Sequence, residues 1–432
     1  MKLITLKEIK DHIGEEVKLR GWVRNYRKSS SKLRFVIFRD AHADIQAVAF
    51  KPEMGEEIFE KGKKITLECS VEIIGVPQEH PKREGEFEFQ LKDLNIIGKS
   101  EDYPIGKKEH GVDFLLSQRH LWLRSKKQTA ALKIRHTVYY AICEYLNKNE
   151  FYRFDSPILT PNASEGTTTL FEVPYFDLGS AFLSQSGQLY LEAGIMSLGK
   201  VYDFGPVFRA EKSKTRKHLT EFWMMDAEAA FVEHDENIEI QEALIRFVIR
   251  TVIERNSKEL EILERDVEKL KKADAPFKRM THREVIDMLK SKGAEIDYLD
   301  DFGAPEEEMI TAEYDVPVFV ERWPKEIKSF YMKRDKDNPD LVLGADLIAP
   351  EGFGEIIGGS QREDDHDILL DRIKKEGYDV KDYQWFLDLR KYGSVPHSGF
   401  GIGLERLIQW MSGIRYIREV IPFPRMINRI NP

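Results

Sequence analysis

Phe208-Arg209-Ala210-Glu211 and Gly401-Ile402-Gly403-Leu404-Glu405-Arg406 lie far apart in the chain, yet each sets an arginine among groups that suit a nucleotide. A triphosphate concentrates negative charge, so its site needs cations of fixed geometry. Arginine meets that need, because its planar fork donates two parallel hydrogen bonds and stays charged. Arg209, at the end of an expected strand over 200–208, can reach a phosphate. Glu211 leaves the same strand face two positions on and can accept from an adenine amino group. Phe222, across a hairpin loop, can stack on the base, and His218 within that loop can touch the phosphates. Gly401 and Gly403 let a backbone approach a ligand closely, and the helix expected after them favours negative charge at its start, which places Arg406 for a terminal phosphate. Each has a plainer reading: a lone arginine is most often a solvated charge, and a GxG is most often a turn into a packed helix.

Such a phosphate site needs magnesium. Asp346 and Glu355, each on an expected strand before Gly358-Gly359, are the candidate ligands, since magnesium usually takes one or two carboxylates plus phosphate oxygens. The alternative has Asp346 capping a turn and Glu355 paired with a nearby Lys or Arg.

The elements that must position these groups fall into two stretches. The first hundred residues read as short strands over 16–26, 33–38, 43–50, 64–76 and 86–97, rich in Val, Ile and Phe and separated by turn-prone segments. Several short strands with little helix suggest a five-stranded oligonucleotide-binding (OB) barrel. A polar stretch over 101–114, containing Pro104, reads as a linker. Beyond it, Ala131, Ile134, Val138, Ile142 and Leu146 recur at helical spacing over 130–147. A strand over 152–159 contains Pro157, and further strands are expected over 181–184, 200–208, 222–231, 316–320, 327–332, 341–348 and 354–359. A long charged helical region spans 238–272. Strands without regularly alternating helices imply an antiparallel α+β core rather than a parallel sheet.

Composition sets outer bounds. The chain has 432 residues, 41% of them apolar, enough for two or three domains with a buried core. Its two cysteines, Cys69 and Cys143, form no CxxC pair, which argues against a disulfide framework and fits a reducing cytoplasm. No apolar run has the length of a membrane span. The net charge of −9 does not advertise nucleic-acid binding, but one local basic surface is compatible with an acidic whole.

With Pro157 closing a helix-to-strand segment, the two arginine segments resemble the three signature motifs of class II aminoacyl-tRNA synthetases. The finer residues resemble the asparaginyl-tRNA synthetase branch in its compact archaeal-type form. The resemblance covers essentially the full length and is weakest over 274–323, where no chemistry can be assigned. It implies an N-terminal five-stranded OB-fold β-barrel for anticodon binding over 1–100 and a class II antiparallel-sheet catalytic domain over 115–432, with an inserted region around 237–323. It places Arg209 on the α-phosphate and Arg406 on the γ-phosphate as the catalytic pair. Glu211, His218, Phe222, Glu355, Gly403 and Glu405 complete the ATP site, and Mg2+ sits on Asp346 and Glu355.

The same resemblance describes an amino-acid pocket. The loop Ser164-Glu165-Gly166-Thr167-Thr168-Thr169 becomes a lid in which Glu165 holds the substrate α-ammonium. Ser184-Gln185-Ser186-Gly187-Gln188-Leu189-Tyr190-Leu191-Glu192 resembles the pocket-lining segment of aspartyl and asparaginyl synthetases, with Gln188, Arg209 and Arg362 also on the amino acid. Gly187 stands where the aspartate enzymes carry proline, and Leu191 where they carry the lysine that neutralises the substrate carboxylate. Glu192, the next residue, can accept from an amide NH2 but repels a carboxylate. At about 4 Å and an effective dielectric near 20 that repulsion is roughly 4 kcal/mol. On the barrel, Arg24, Phe35 and Gln46 become tRNA contacts, with Phe35 and Phe38 on opposite faces. The helix over 130–147 and the strand after it match the first motif, the dimer interface of relatives, so a homodimer is expected. The implied reaction is activation of L-asparagine by ATP, then transfer to the 3′-terminal ribose of tRNA(Asn), with no membrane involved. Three competitors stand beside it. An aspartyl-tRNA synthetase is opposed by Leu191 and Glu192. A tRNA-independent asparagine synthetase is opposed by the barrel, and an inactive RNA-binding module by the retained Arg209, Glu211 and Arg406.

Overall fold

A computed structural model of the chain describes residues 1–161, 163–164, 169–213, 215 and 217–432. They form two compact units, Met1–Gly111 and Val112–Pro432.

In the first unit, β1 (Val17–Lys28), β2 (Leu33–Arg39), β3 (Asp44–Phe50), β4 (Ser70–Glu79) and β5 (Phe87–Gly98) pair in the order β1-β2-β3-β5-β4. Pairing of β1 with β4 closes the barrel, and a two-residue strand at Lys2–Leu3 lies alongside the start of β1. Alternation sends Val23, Val36, Phe38, Ala47, Val71, Ile73 and Phe89 inward, all nearly inaccessible. Gly75 sits where β4 crosses Phe89; a Cβ there would lie 2.0 Å from the Gln90 carbonyl oxygen.

The second unit is built on an eight-stranded sheet. Its strands are β6 (Tyr152–Arg153), β7 (Lys200–Phe208), β8 (Glu221–Ala230), β9 (Lys278–Thr281), β10 (Val318–Pro324), β11 (Leu341–Ala349), β12 (Gly354–Gln361) and β13 (His397–Gly403), ordered β9-β10-β11-β12-β13-β8-β7-β6. All neighbours are antiparallel except the two edge pairs, β9 with β10 and β6 with β7. One face carries α1 (Lys126–Lys148), α3 (His234–Arg255) and α5 (Leu404–Ser412), whose apolar stripes merge into a single core with the sheet. α1 starts four residues earlier than its apolar spacing suggests, because the Ser125 side chain caps it by accepting from the Gln128 N–H. Its residues Ile134, Val138, Ile142 and Leu146 are fully buried. α2 (Gln188–Leu198) and α4 (Gln384–Lys391) complete the frame.

Four expected elements differ. The strand over 152–159 is only β6 plus a two-residue pairing at Leu159–Thr160. Pro157 has no N–H to donate, and the Ser156 N–H turns to Asp203 at 3.0 Å. Residues 327–332 form no strand, since β10 pairs directly with β11 up to Pro324↔Leu341 and the chain between them is the connecting loop. The helical region 238–272 is broken at Arg255 and again before Asp266, which caps the last piece. The strand β13 runs through Gly401 and Gly403, which had read only as a lead into a helix.

Candidate functional site

Cross-strand pairs share a sheet face, so register decides what meets on the open side of the large sheet. Gly403, Gly401 and Gly399 of β13 face Met224, Asp226 and Glu228 of β8, and Gly358 and Ser360 of β12 face Gly401 and Gly399. Glycines keep that surface low. A Cβ on Gly401 would lie 2.6 Å from Asp226 Oδ1, and one on Gly399 2.1 Å from the Glu228 carboxyl. Over this surface lies a cavity of about 730 Å³. Its lining includes Arg209, Glu211, His218, Phe222, Glu355 and Arg406 toward one end and Gln188, Asp226, Tyr331 and Arg362 toward the other. The two arginine segments therefore converge, as the sequence reading requires.

At the first end, Arg209 extends β7, its N–H bonded to the Thr220 carbonyl at 3.0 Å. Arg406, in the first turn of α5, donates to the Glu355 backbone carbonyl at 2.9 Å and lies 3.6 Å from its carboxylate. His218 Nδ1 meets the Thr215 hydroxyl; burial, then the Arg406 cation, holds its imidazole below the ordinary value. Asp346 and Glu355 reach the same face because of an irregularity. Asp346 pairs with Gly358, but between Leu347 and Ile348 the register shifts, so Ile348 meets Glu355. That bulge puts Glu355 beside Asp346; a Cβ on Gly358 would sit 3.4 Å from Glu355 Oε1 and 3.8 Å from Asp346 Oδ1. Desolvation and the neighbouring Asp346 push the Glu355 carboxyl up to about 7, against the pull of Arg406 and Lys328. Two carboxylates crowded in this way form a suitable donor set for a hard divalent cation.

Glu405 borders the cavity, and both of its carboxylate oxygens are engaged within the protein: Oε1 takes Arg135 at 2.6 Å and Oε2 takes the Trp223 N–H at 3.0 Å. Both oxygens anchor α5 to α1 and β8, which fixes Arg406.

At the other end, Arg362 is 2% exposed and pairs with Glu228, 1% exposed. Its Nε donates to Glu228 Oε1 at 3.0 Å, a terminal nitrogen also meets Oε1, and Nη1 donates to the Ser360 hydroxyl at 2.7 Å. The Arg362 main-chain N–H is held by the His397 carbonyl at 2.9 Å. Burial raises the Glu228 carboxyl while Arg362 opposes the rise. Asp226 Oδ2 accepts from the Ser186 hydroxyl at 3.0 Å and the Gly187 N–H at 2.9 Å. Gln188 Oε1 accepts from Tyr331 at 3.3 Å, and its Nε2 is buried with no partner among the described residues.

Glu192, within α2, is fully buried and is not on the cavity wall; its Oε2 lies 2.5 Å from Arg390 and 2.9 Å from His397 Nε2. It stands one helical turn beyond Gln188, which does line the cavity. The acidic side chain on the wall at this end is Asp226, and behind the wall Arg362 is paired with the buried Glu228; the sequence reading missed both. A signal was present: Phe222, Met224, Asp226 and Glu228 share one face of an otherwise apolar strand. Asp301 on the cavity wall and Glu307, which accepts from Lys217 at 3.0 Å and the Glu355 N–H at 3.1 Å, come from the stretch where no chemistry was assigned. Glu165 lies outside the described residues.

On the barrel, Phe35 and Gln46 share the outer face of β2 and β3, and Phe38 faces the core. Arg27 covers the Phe35 ring at 4.7 Å, and Arg39 covers Trp22 at 4.7 Å. Arg24 sits where β1 slips its register against β2 and donates to Asp44 at 3.1 Å.

Comparison with known proteins agrees over both units. Residues 111–427 match the family model described as tRNA synthetases class II (D, K and N), and residues 17–97 match the OB-fold nucleic acid binding domain. An asparagine–tRNA ligase of Lactococcus lactis subsp. lactis is 53% identical, over 100% of this chain and 99% of its own length. Another, of Symbiobacterium thermophilum, is 50% identical over the whole of both chains. The crystal structure of asparaginyl-tRNA synthetase from Pyrococcus horikoshii complexed with asparaginyl-adenylate superposes with a TM-score of 0.95 at 44% identity, covering 99% of each chain.

Proposed function

The chain belongs to the class II tRNA synthetases of the D, K and N group, and from that premise we propose that it is an asparagine–tRNA ligase acting through the residues described above. One observation carries the reading. A single cavity is lined by two convergent arginines, Arg209 and Arg406, and by Arg362, whose guanidinium is paired with the buried Glu228.

Activation begins with attack of the asparagine α-carboxylate on the α-phosphorus of ATP, releasing pyrophosphate. The attacking group is already ionised, so the chain supplies position and charge rather than a nucleophile. Arg209 neutralises the α-phosphate, Arg406 with His218 the terminal phosphates, and Phe222 and Glu211 hold the adenine. Asp226 and Gln188 receive the amino-acid main-chain groups, Asp226 taking the ammonium. Asp346 and Glu355 would hold Mg2+, which supplies charge neutralisation on the β- and γ-phosphates when bound.

The side-chain amide is read by the buried pair. It offers one acceptor oxygen, which suits a remaining N–H of Arg362, and one NH2, which suits a Glu228 oxygen. Aspartate would bring a second anionic oxygen against Glu228, with a repulsion of roughly 4 kcal/mol as an upper bound at an effective dielectric near 20. Rejection by a built-in like charge is the stronger half of such a filter.

In the second step the 3′-terminal ribose hydroxyl of tRNA(Asn) attacks the adenylate carbonyl. Phe35, Gln46 and Arg24 contact the anticodon loop by stacking and polar reading. We assign the homodimer contact to α1 and β6, where Tyr140 and Tyr152 are 54% and 58% exposed and β6 is a sheet edge. The test is ATP–pyrophosphate exchange by the purified chain with asparagine and aspartate side by side, followed by charging of tRNA(Asn). Asparagine-dependent exchange and charging are expected; exchange driven equally well by aspartate defeats the assignment.

A further inference from the structure

Asp346 already has a cation. Lys328 enters the cavity from the loop after β10, and its Nζ lies 2.5 Å from Asp346 Oδ2. The same ammonium stands 3.7 Å from the centre of the Trp323 ring, close enough for a strong cation–π contact. That ring does not move easily. Trp323 is 1% exposed, its indole N–H donates to the Val320 carbonyl at 2.9 Å, and His282 and Phe302 pack on it at 4.6 and 4.9 Å. The lysine and aspartate side chains are only 14% and 11% exposed, so water screens the pair weakly. A built platform thus fixes a permanent positive charge on an oxygen that a metal ion would need.

We propose that Lys328 is the resident counter-cation of the Asp346–Glu355 pair, a positioning residue that competes with the divalent ion for Asp346 when no nucleotide is bound. Two neighbouring carboxylates alone would gather a divalent ion from solution. With Lys328 in place the pair lacks the charge to do so until a triphosphate adds its own anionic oxygens, which then satisfy both the ammonium and the metal. Metal and nucleotide binding are coupled as a result, and the coupling is reciprocal. The inference rests on the reading of Asp346 and Glu355 as the ion's ligands.

The experiment is a Mn2+ titration of the full chain without nucleotide, followed by the loss of the free-ion EPR signal, and repeated with a non-hydrolysable ATP analogue. Wild type, Lys328→Met, Lys328→Arg and Asp346→Asn are compared. Lys328→Met should bind Mn2+ about tenfold or more tightly than wild type in the absence of nucleotide, and the analogue should then add less to its affinity than it adds in wild type. Lys328→Arg should resemble wild type. Should the methionine variant not fold, Lys328→Gln carries the same expectation. Unchanged or weaker Mn2+ binding in the neutral variants, or an arginine variant that behaves like them, overturns the proposal. If Asp346→Asn leaves Mn2+ binding with the analogue intact, the ligand reading itself fails, an outcome distinct from the first.

Discussion

The two ends of the cavity are built on different plans. At the phosphate end the working side chains come from strands, a strand end and a helix start and line the cavity with charge of both signs: Arg209 and Arg406 stand beside Asp346 and Glu355, with Lys328 on Asp346 and Arg406 near Glu355. At the side-chain end the charges are buried and matched inside the protein. Arg362 faces Glu228, and behind it Glu192 faces Arg390 and His397. The contrast follows from the ligands. A triphosphate is held by net charge, which must be exposed to meet it. A neutral amide is told from a carboxylate by fixed directional groups, which a low-dielectric setting sharpens.

The largest expected effect lies at the open end. Arg406→Ala or Arg209→Ala should lower asparagine-dependent ATP–pyrophosphate exchange about a thousandfold, near 4 kcal/mol, with the melting temperature little changed. Near-normal exchange in both would mean the two arginines do no phosphate work. Glu192→Gln probes the matched end from behind. It leaves the buried Arg390 uncompensated, so the main loss should be in stability, about 3–4 kcal/mol by urea unfolding, with the asparagine-to-aspartate ratio moving less than about tenfold. A large selectivity change with no loss of stability would return Glu192 to the pocket wall.

A pH scan sharpens the comparison from beneath the open end. His282 is fully buried against Trp323, and burial, then the nearby Lys328 and Arg283 cations, hold its imidazole down to about 4. Its folded value is depressed, so the stability it supports is intact above its ordinary value of 6.5 and drains away as pH falls toward about 4. Wild type should lose about 3 kcal/mol more than His282→Phe over that window in urea unfolding. Parallel curves for the two proteins would contradict this. The smallest of the four effects is the most specific. Glu228→Gln should cut the preference for asparagine over aspartate by on the order of a hundredfold, about 2.7 kcal/mol, chiefly by admitting aspartate.

Legibility in the sequence follows the same divide. Arg209, Glu211, Gly403 and Arg406 lie in short contiguous segments, so their chemistry could be read from neighbours in the chain, and the barrel strands from alternation of apolar residues. The matched end is assembled by register. Glu228 meets Arg362 only because β8 and β12 flank β13, and no local spacing announces that. Glu192 looked like a pocket residue because it follows a lining segment, but Arg390 and His397, about two hundred residues away in the chain, take up its carboxylate in the interior. Glu355 needed a β-bulge to share a face with Asp346, an irregularity that strand periodicity cannot foresee. The stretch 274–323 seemed without chemistry because its contributions, Asp301 and Glu307, are single side chains brought in by tertiary packing.

The central claim is that one cavity joins a phosphate-binding end to an end that prefers an amide. Calorimetric titration of the wild-type chain with two sulfamoyl adenylate mimics, one carrying asparagine and one aspartate, tests it most directly. The asparaginyl mimic is expected to bind at least about a hundredfold more tightly. Equal affinity, or tighter binding of the aspartyl mimic, would contradict it.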